Sequence, residues 1–164
     1  MASFDLICRL DEMELQNAIN QTEKVISGRF DFKGSEAKIE WKQKENSIEI
    51  RAEDDTKVKA VLEILRTNML KRGIGIKGME ESDITPTGMK MKKMNLKLSS
   101  GIDKDNQKAI SKVIKESGFK GKAQYMDEKY RLESKSIDEL QTLFRLLRES
   151  KEVKIDLQME NMKR

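Results

Sequence analysis

The chain has no histidine, one cysteine, one proline, one tryptophan and only 5% aromatic residues among its 164 positions. Without histidine it lacks the commonest general base and the commonest metal ligand, so most acid–base and metal-assisted chemistries lose their usual centre. A single Cys8 allows no intrachain disulfide, which fits a reducing compartment. Cys8 shares the alternating positions of Phe4, Leu6 and Leu10, and a buried structural thiol is its simplest role. No apolar run approaches the roughly 18 residues that a membrane span requires. Asp5 and Arg9 interrupt the start of the chain, which therefore does not read as a signal peptide. The expected location is the cytoplasm.

What the chain has is charge and repetition. Charged residues make up 38% of it, and the net charge is +4. Residues 1–85 carry 14 Lys/Arg against 17 Asp/Glu, net −3, whereas residues 86–164 carry 19 against 12, net +7. A basic second half fits either a phosphate-bearing partner or a plainly solvated Lys-rich surface. Apolar residues recur periodically throughout, which argues against disorder.

The sequence starts again near Met94, where Met94, Leu96 and Leu98 alternate with polar residues. Ser3–Leu10 alternates in the same way. Asp11 three residues before Glu14 marks a helix start, and Leu15, Ala18, Ile19, Thr22, Val25 and Ile26 share one helical side up to Gly28. Two alternating runs follow, Ala37/Ile39/Trp41 and Ile48/Ile50/Ala52, joined by a polar loop at 44–47. A second helix carries Val58, Val61, Leu62, Leu65 and Met69 and stops at Arg72-Gly73, with Ile74 and Ile76 as a short strand. Residues 77–93 hold the only proline and no apolar period, and read as a linker. The second half repeats the series. A helix bears Ala109, Ile110, Val113 and Ile114, followed by a hairpin with Ala123/Tyr125 and Tyr130/Leu132. A helix opened by Ser136 and Glu139 comes next, then a last strand with Val153, Ile155, Leu157 and Met159.

Each half is thus strand–helix–strand–strand–helix–strand. The expected fold is α+β: two tandem ferredoxin-like (βαββαβ) domains, residues 1–85 and 86–164, each a four-stranded antiparallel sheet with both helices on one face. The opposite face would carry Asp5, Arg9, Lys38, Glu40, Lys42, Glu49, Arg51, Lys97, Lys122, Gln124, Arg131, Lys154 and Gln158. RNA-binding domains of this topology stack bases on aromatic residues of that face. Here Trp41, Tyr125 and Tyr130 fall on the inward phase, leaving phosphate contact by Lys and Arg.

Other motifs fail on context. Gly73-Ile74-Gly75-Ile76-Lys77-Gly78 satisfies G-x-G-x-x-G, yet follows a helix instead of opening one, and is a glycine-rich helix exit. Asp103-Lys104-Asp105 lacks the glycine and glutamate of a calcium loop. Asn20-Gln21-Thr22 matches a glycosylation sequon inside a helix of a chain without an export signal. No site for a metal or cofactor emerges, and the chain reads as a non-enzyme.

The Arg29-Phe30-Asp31-Phe32 run, with Leu70-Lys71-Arg72-Gly73, Lys112-Val113-Ile114-Lys115, Ser134-Lys135-Ser136 and the tail Leu157-Gln158, resembles the YajQ family of small bacterial proteins along its whole length. Gly28, Ser134 and Met159 depart from that family's pattern. The resemblance implies exchanged first strands: 3–10 would pair in the second sheet and 93–99 in the first. It also implies nucleotide binding, with RNA or cyclic di-GMP as ligand and a regulatory role. The residues whose chemistry suits such a ligand are Arg29, Asp31, Lys71, Arg72, Lys97, Lys112, Lys115, Lys122, Arg131 and Lys135. Lys112 and Lys115 share a helix flank, and Lys135 precedes a helix N-terminus suited to anions. Phe30 and Phe32 read as core anchors. A monomer that binds nucleotide or RNA is expected; the rival reading is a protein–protein adaptor using an exposed sheet face or edge.

Overall fold

A computed structural model of the chain describes residues 1–164. The elements run β1 (Ala2–Ile7), α1 (Glu12–Gly28), β2 (Lys38–Lys42), β3 (Ser47–Ala52), α2 (Asp55–Lys71), β4 (Glu80–Glu81), β5 (Thr85–Thr87) and β6 (Met91–Lys97). They continue with α3 (Lys104–Glu116), β7 (Lys122–Met126), β8 (Lys129–Ser134), α4 (Ile137–Glu149) and β9 (Gln158–Lys163). Every α-helix starts where a short polar side chain accepts a first-turn amide: Asp11 from Glu14, Asp54 from Lys57, Asp103 from Asn106 and Ser136 from Glu139.

Two sheets result, ordered β7-β8-β1-β9 and β2-β3-β6-β4, with β5 also paired to β6. All pairings are antiparallel. The fold is the expected tandem ferredoxin-like one, and the first strands are exchanged. β1 lies between β8 and β9, and β6 lies beside β3. The compact units are accordingly Leu10–Leu98 on the one hand, and Met1–Arg9 with Ser99–Arg164 on the other. One core gathers Leu15, Ile19, Ile48, Ile50, Val61, Leu65 and Leu96; the other gathers Phe4, Leu6, Ile102, Ile110, Leu132, Leu140 and Ile155. Phe4 meets Phe144 edge-on, with centroids 5.8 Å apart.

Several boundaries differ from the sequence reading. The first strand ends at Ile7, because the Cys8 carbonyl accepts from the Gly101 amide at 2.6 Å, and Leu10 packs against the other core. Residues 77–93 are not a bare linker. β4 and β5 form an interrupted edge on β6, with Ser82 donating its amide to the Asn95 carbonyl at 2.9 Å. Pro86 is tolerated there because an edge strand needs no donor on its outer side. Ile74 and Ile76 form no strand. Gly73, at φ 77°, reverses the chain after α2, and the Ile74 amide reaches back to the Met69 carbonyl at 2.9 Å. The last strand begins only at Gln158. Val153, Ile155 and Leu157 are buried as the alternation implies, but the Lys154 amide donates to the Asn106 side chain at 2.9 Å instead of to a strand. Phe32 is a core anchor at 5% exposure, whereas Phe30 stands 88% exposed.

Candidate functional site

A helix-free sheet face could present side chains to a ligand. On the Leu10–Leu98 unit the outward positions are Lys38, Glu40 and Lys42 on β2, Glu49 and Arg51 on β3, and Asn95 and Lys97 on β6. Much of this charge is spent internally. Glu49 is buried between Lys42 Nζ at 2.9 Å and Arg51 Nε at 2.7 Å. The Lys42 hydrogen bond, helped by Arg51, outweighs burial and holds the Glu49 carboxyl below its ordinary value. Neither face carries an aromatic platform. Tyr125 and Tyr130 pack together at 5.3 Å on the core side, with the Tyr130 hydroxyl donating to the Gln107 carbonyl and the Tyr125 hydroxyl to that of Ile102.

The N-terminus of α4 offers a different environment. The Ser136 hydroxyl accepts from the Glu139 amide at 3.2 Å. Glu139 does not return the bond to Ser136 as a capping box would. Its carboxylate is held by the Ser134 hydroxyl at 2.8 Å, and Ser134 in turn accepts from the Ser136 amide at 3.1 Å. Beside this turn opens a cleft of about 410 Å³, lined by Lys120, Lys122 and Lys135 with Glu139 the one carboxylate among its walls. None of these three lysines makes an ion pair. Gly121 lets β7 approach so closely: a Cβ there would lie 2.0 Å from the Glu133 carbonyl and 2.5 Å from the Phe119 ring. Three lysines without an ion pair, gathered beside the positive end of a helix dipole, suit a phosphate, although Asp138 and Glu139 stand in the same first turn and Glu133 lies opposite Lys122.

A family model described as "Nucleotide-binding protein YajQ-like" matches residues 2–163. The chain belongs to this YajQ-like family. Among its relatives, nucleotide-binding protein Bd0338 of Bdellovibrio bacteriovorus is 41% identical over 163 residues, covering 99% of both chains. A "nucleotide-binding protein" of Clavibacter michiganensis is 40% identical over 99% of this chain and 98% of the relative. Another, from Geotalea uraniireducens, is 35% identical over 99% of each.

Against this YajQ-like background, the residues singled out by sequence sort by what they touch. Arg29 and Asp31 bond each other through two contacts of 2.9 and 2.6 Å, and the Arg29 guanidinium lies 5.4 Å over the Phe32 ring. Arg72 faces Glu14 at 3.8 Å, Lys112 holds Glu152 at 3.2 Å, and Arg131 faces Glu133 at 3.8 Å. Lys71 and Lys115 lie in the last turns of α2 and α3, and Lys97 is on β6 opposite Glu80. Only Lys122 and Lys135 come together in one cleft. Lys120 joins them and was missed, although the Lys120-Gly121-Lys122 run is visible in the sequence. Arg9, an outward position, is tied to Glu160 by contacts of 2.9 and 3.4 Å. No helix is long and apolar enough to cross a membrane.

Proposed function

We propose that the protein binds nucleotides without transforming them. It holds phosphate in the Lys120–Lys122–Lys135 cleft, takes RNA or a cyclic dinucleotide as ligand, and acts in regulation as a cytoplasmic monomer. The observation that carries the reading is the convergence of three unpaired lysines on the first turn of α4. Its relatives' printed name, nucleotide-binding protein, points the same way. The residues near the cleft supply grip but no reactive centre. Glu139 is held by Ser134, and the chain's one thiol, Cys8, is pushed up to about 11, chiefly by burial and then by the charge of Asp156.

The test is the salt dependence of affinity for a single-stranded RNA oligonucleotide. Releasing about 0.7 counterion per neutralised phosphate, three lysine contacts give a roughly 20-fold loss between 50 and 200 mM salt. Lys135→Ala should reduce that loss to roughly sevenfold. Salt-insensitive binding, or a slope that ignores Lys135, would refute the reading. One observation favours the second reading, an adaptor for another protein. The outer edge of β2 borders a cavity of about 600 Å³ against α1, with Ile26, Ala37 and Ile39 among its walls, where a partner strand could add. Co-purification with one protein and no nucleotide would favour it.

A further inference from the structure

On the helix-free face of the sheet β7-β8-β1-β9, the alternation of β1 puts Asp5 opposite Arg131 on one side and Glu160 on the other. Asp5 is only 7% exposed. One of its oxygens accepts from the Asn161 side-chain amide at 2.9 Å. Asn161 reaches it from a break in register between β1 and β9, where it adopts φ 55°. The other carboxylate oxygen has no partner within the chain. Arg131, directly across, forms no ion pair with Asp5; its guanidinium instead faces Glu133 at 3.8 Å. Asp5, Gln124, Met126, Lys129 and Arg131 line a cavity of about 270 Å³ on this face.

The chemistry of that cavity is selective. A simple cation meets Arg131 and Lys129, and a bare anion meets Asp5 and Asp127. What satisfies all of them is a flat, neutral group with two adjacent N–H donors for the carboxylate and an acceptor for Gln124 or Arg131. The Watson–Crick edge of guanine has that pattern: N1–H and the N2 amino group side by side, with O6 beside them. Adenine sets its N1 lone pair against the carboxylate, and uracil has a single N–H between two carbonyls. Met126, 56% exposed, offers an apolar surface to the face of the base. Gln124 also lies two positions along β7 from Lys122 on the same face, a separation of about 7 Å. The long side chain of Lys122 extends that spacing toward the 5′-phosphate of a base held at Gln124.

We propose that Asp5 is a base-reading residue that selects guanine over adenine, with Gln124 and Arg131 completing the edge; this rests on the nucleotide-binding reading. The test is calorimetric titration of the full chain with GMP, IMP and AMP at low salt. GMP should bind about tenfold or more tighter than AMP, since a hydrogen bond to a charged group is lost and a repulsive contact made. IMP, lacking the amino group, should fall between them. Asp5→Asn keeps an acceptor for Asn161 but turns a donor toward the base, and should bring GMP down to the AMP level. Equal affinities for the three native-chain ligands overturn the assignment while leaving nucleotide binding standing. Failure of all three to bind overturns both. Should Asp5→Asn not fold, the native GMP, IMP and AMP ratios decide alone.

Discussion

Cutting the chain between residues 85 and 86 should leave a second half that does not fold. A fragment of residues 86–164 keeps β7, β8, α3, α4 and β9 but loses β1, the strand that lies between β8 and β9. With it go Phe4 and Leu6, exposed by 1% and 0% in the intact chain. Truncating a buried Phe costs about 3–5 kcal/mol and a buried Leu about 2–5 kcal/mol. Together that is about 5–10 kcal/mol, before the two lost ladders are counted, against a whole-domain stability of about 5–15 kcal/mol. The fragment 10–98, by contrast, retains α1, α2 and the whole sheet β2-β3-β6-β4 in one continuous stretch. Separate chromophores follow the two outcomes. Trp41 belongs to the Leu10–Leu98 core, and the Tyr125–Tyr130 pair to the other. In urea titrations, 10–98 should show a cooperative Trp41 transition. The 86–164 fragment should lack the near-ultraviolet tyrosine signal until a peptide of residues 1–9 is supplied. A native-like spectrum from 86–164 alone would refute the reasoning.

Two further outcomes are expected. Phe32→Ala should cost about 3–5 kcal/mol of unfolding free energy, whereas Phe30→Ala, on a ring open to solvent, should stay within about 0.5 kcal/mol; denaturant titration of both variants checks the contrast. Burial would raise the Glu53 carboxyl, but hydrogen bonds from the Ser35 hydroxyl, the Glu36 amide and Lys57 outweigh it and hold it at about 2. A carboxyl depressed in the folded state stabilises above its unfolded value and loses that contribution as pH falls. The share of about 1 kcal/mol left after solvent screening should therefore vanish between roughly pH 4.5 and pH 2, and Glu53→Gln should flatten that part of the stability profile.

The repeated pattern made most of the fold legible. Alternation located the strands, the 3.6-residue period located the helices, and Asp11 and Ser136 marked the starts of two of them. Alternation reports which side chains are buried, not which backbone groups pair. Val153, Ile155 and Leu157 are buried in alternation yet precede the strand, since Asn106 takes the Lys154 amide. β4 and β5 were invisible for the converse reason: two- and three-residue edge strands with little buried side chain carry no apolar period. The exchange of first strands is not encoded in either strand's own pattern. Ser3–Ile7 and Met94–Leu96 would alternate identically in either sheet, and it was likeness to the YajQ family that indicated the swap.

The site was less legible because a sequence displays charges without their partners. Arg29, Arg72, Lys112 and Arg131 carry the same charge as Lys122 and Lys135, but in the folded chain each of the first four makes an ion pair, and Lys122, though opposite Glu133, makes none. Asp5 posed the opposite problem. In the sequence it is one more outward acidic residue on an alternating strand, and only its burial beside Asn161 and the unmade pair with Arg131 distinguish it. The two features divide the work of recognition along physical lines. Exposed lysines give an attraction that is strong at low salt and indifferent to the base. A buried carboxylate adds little attraction for a phosphate-bearing molecule, yet penalises every base that cannot donate to it. Affinity and choice should therefore respond to different substitutions, Lys135 moving the salt slope and Asp5 the ratio between bases.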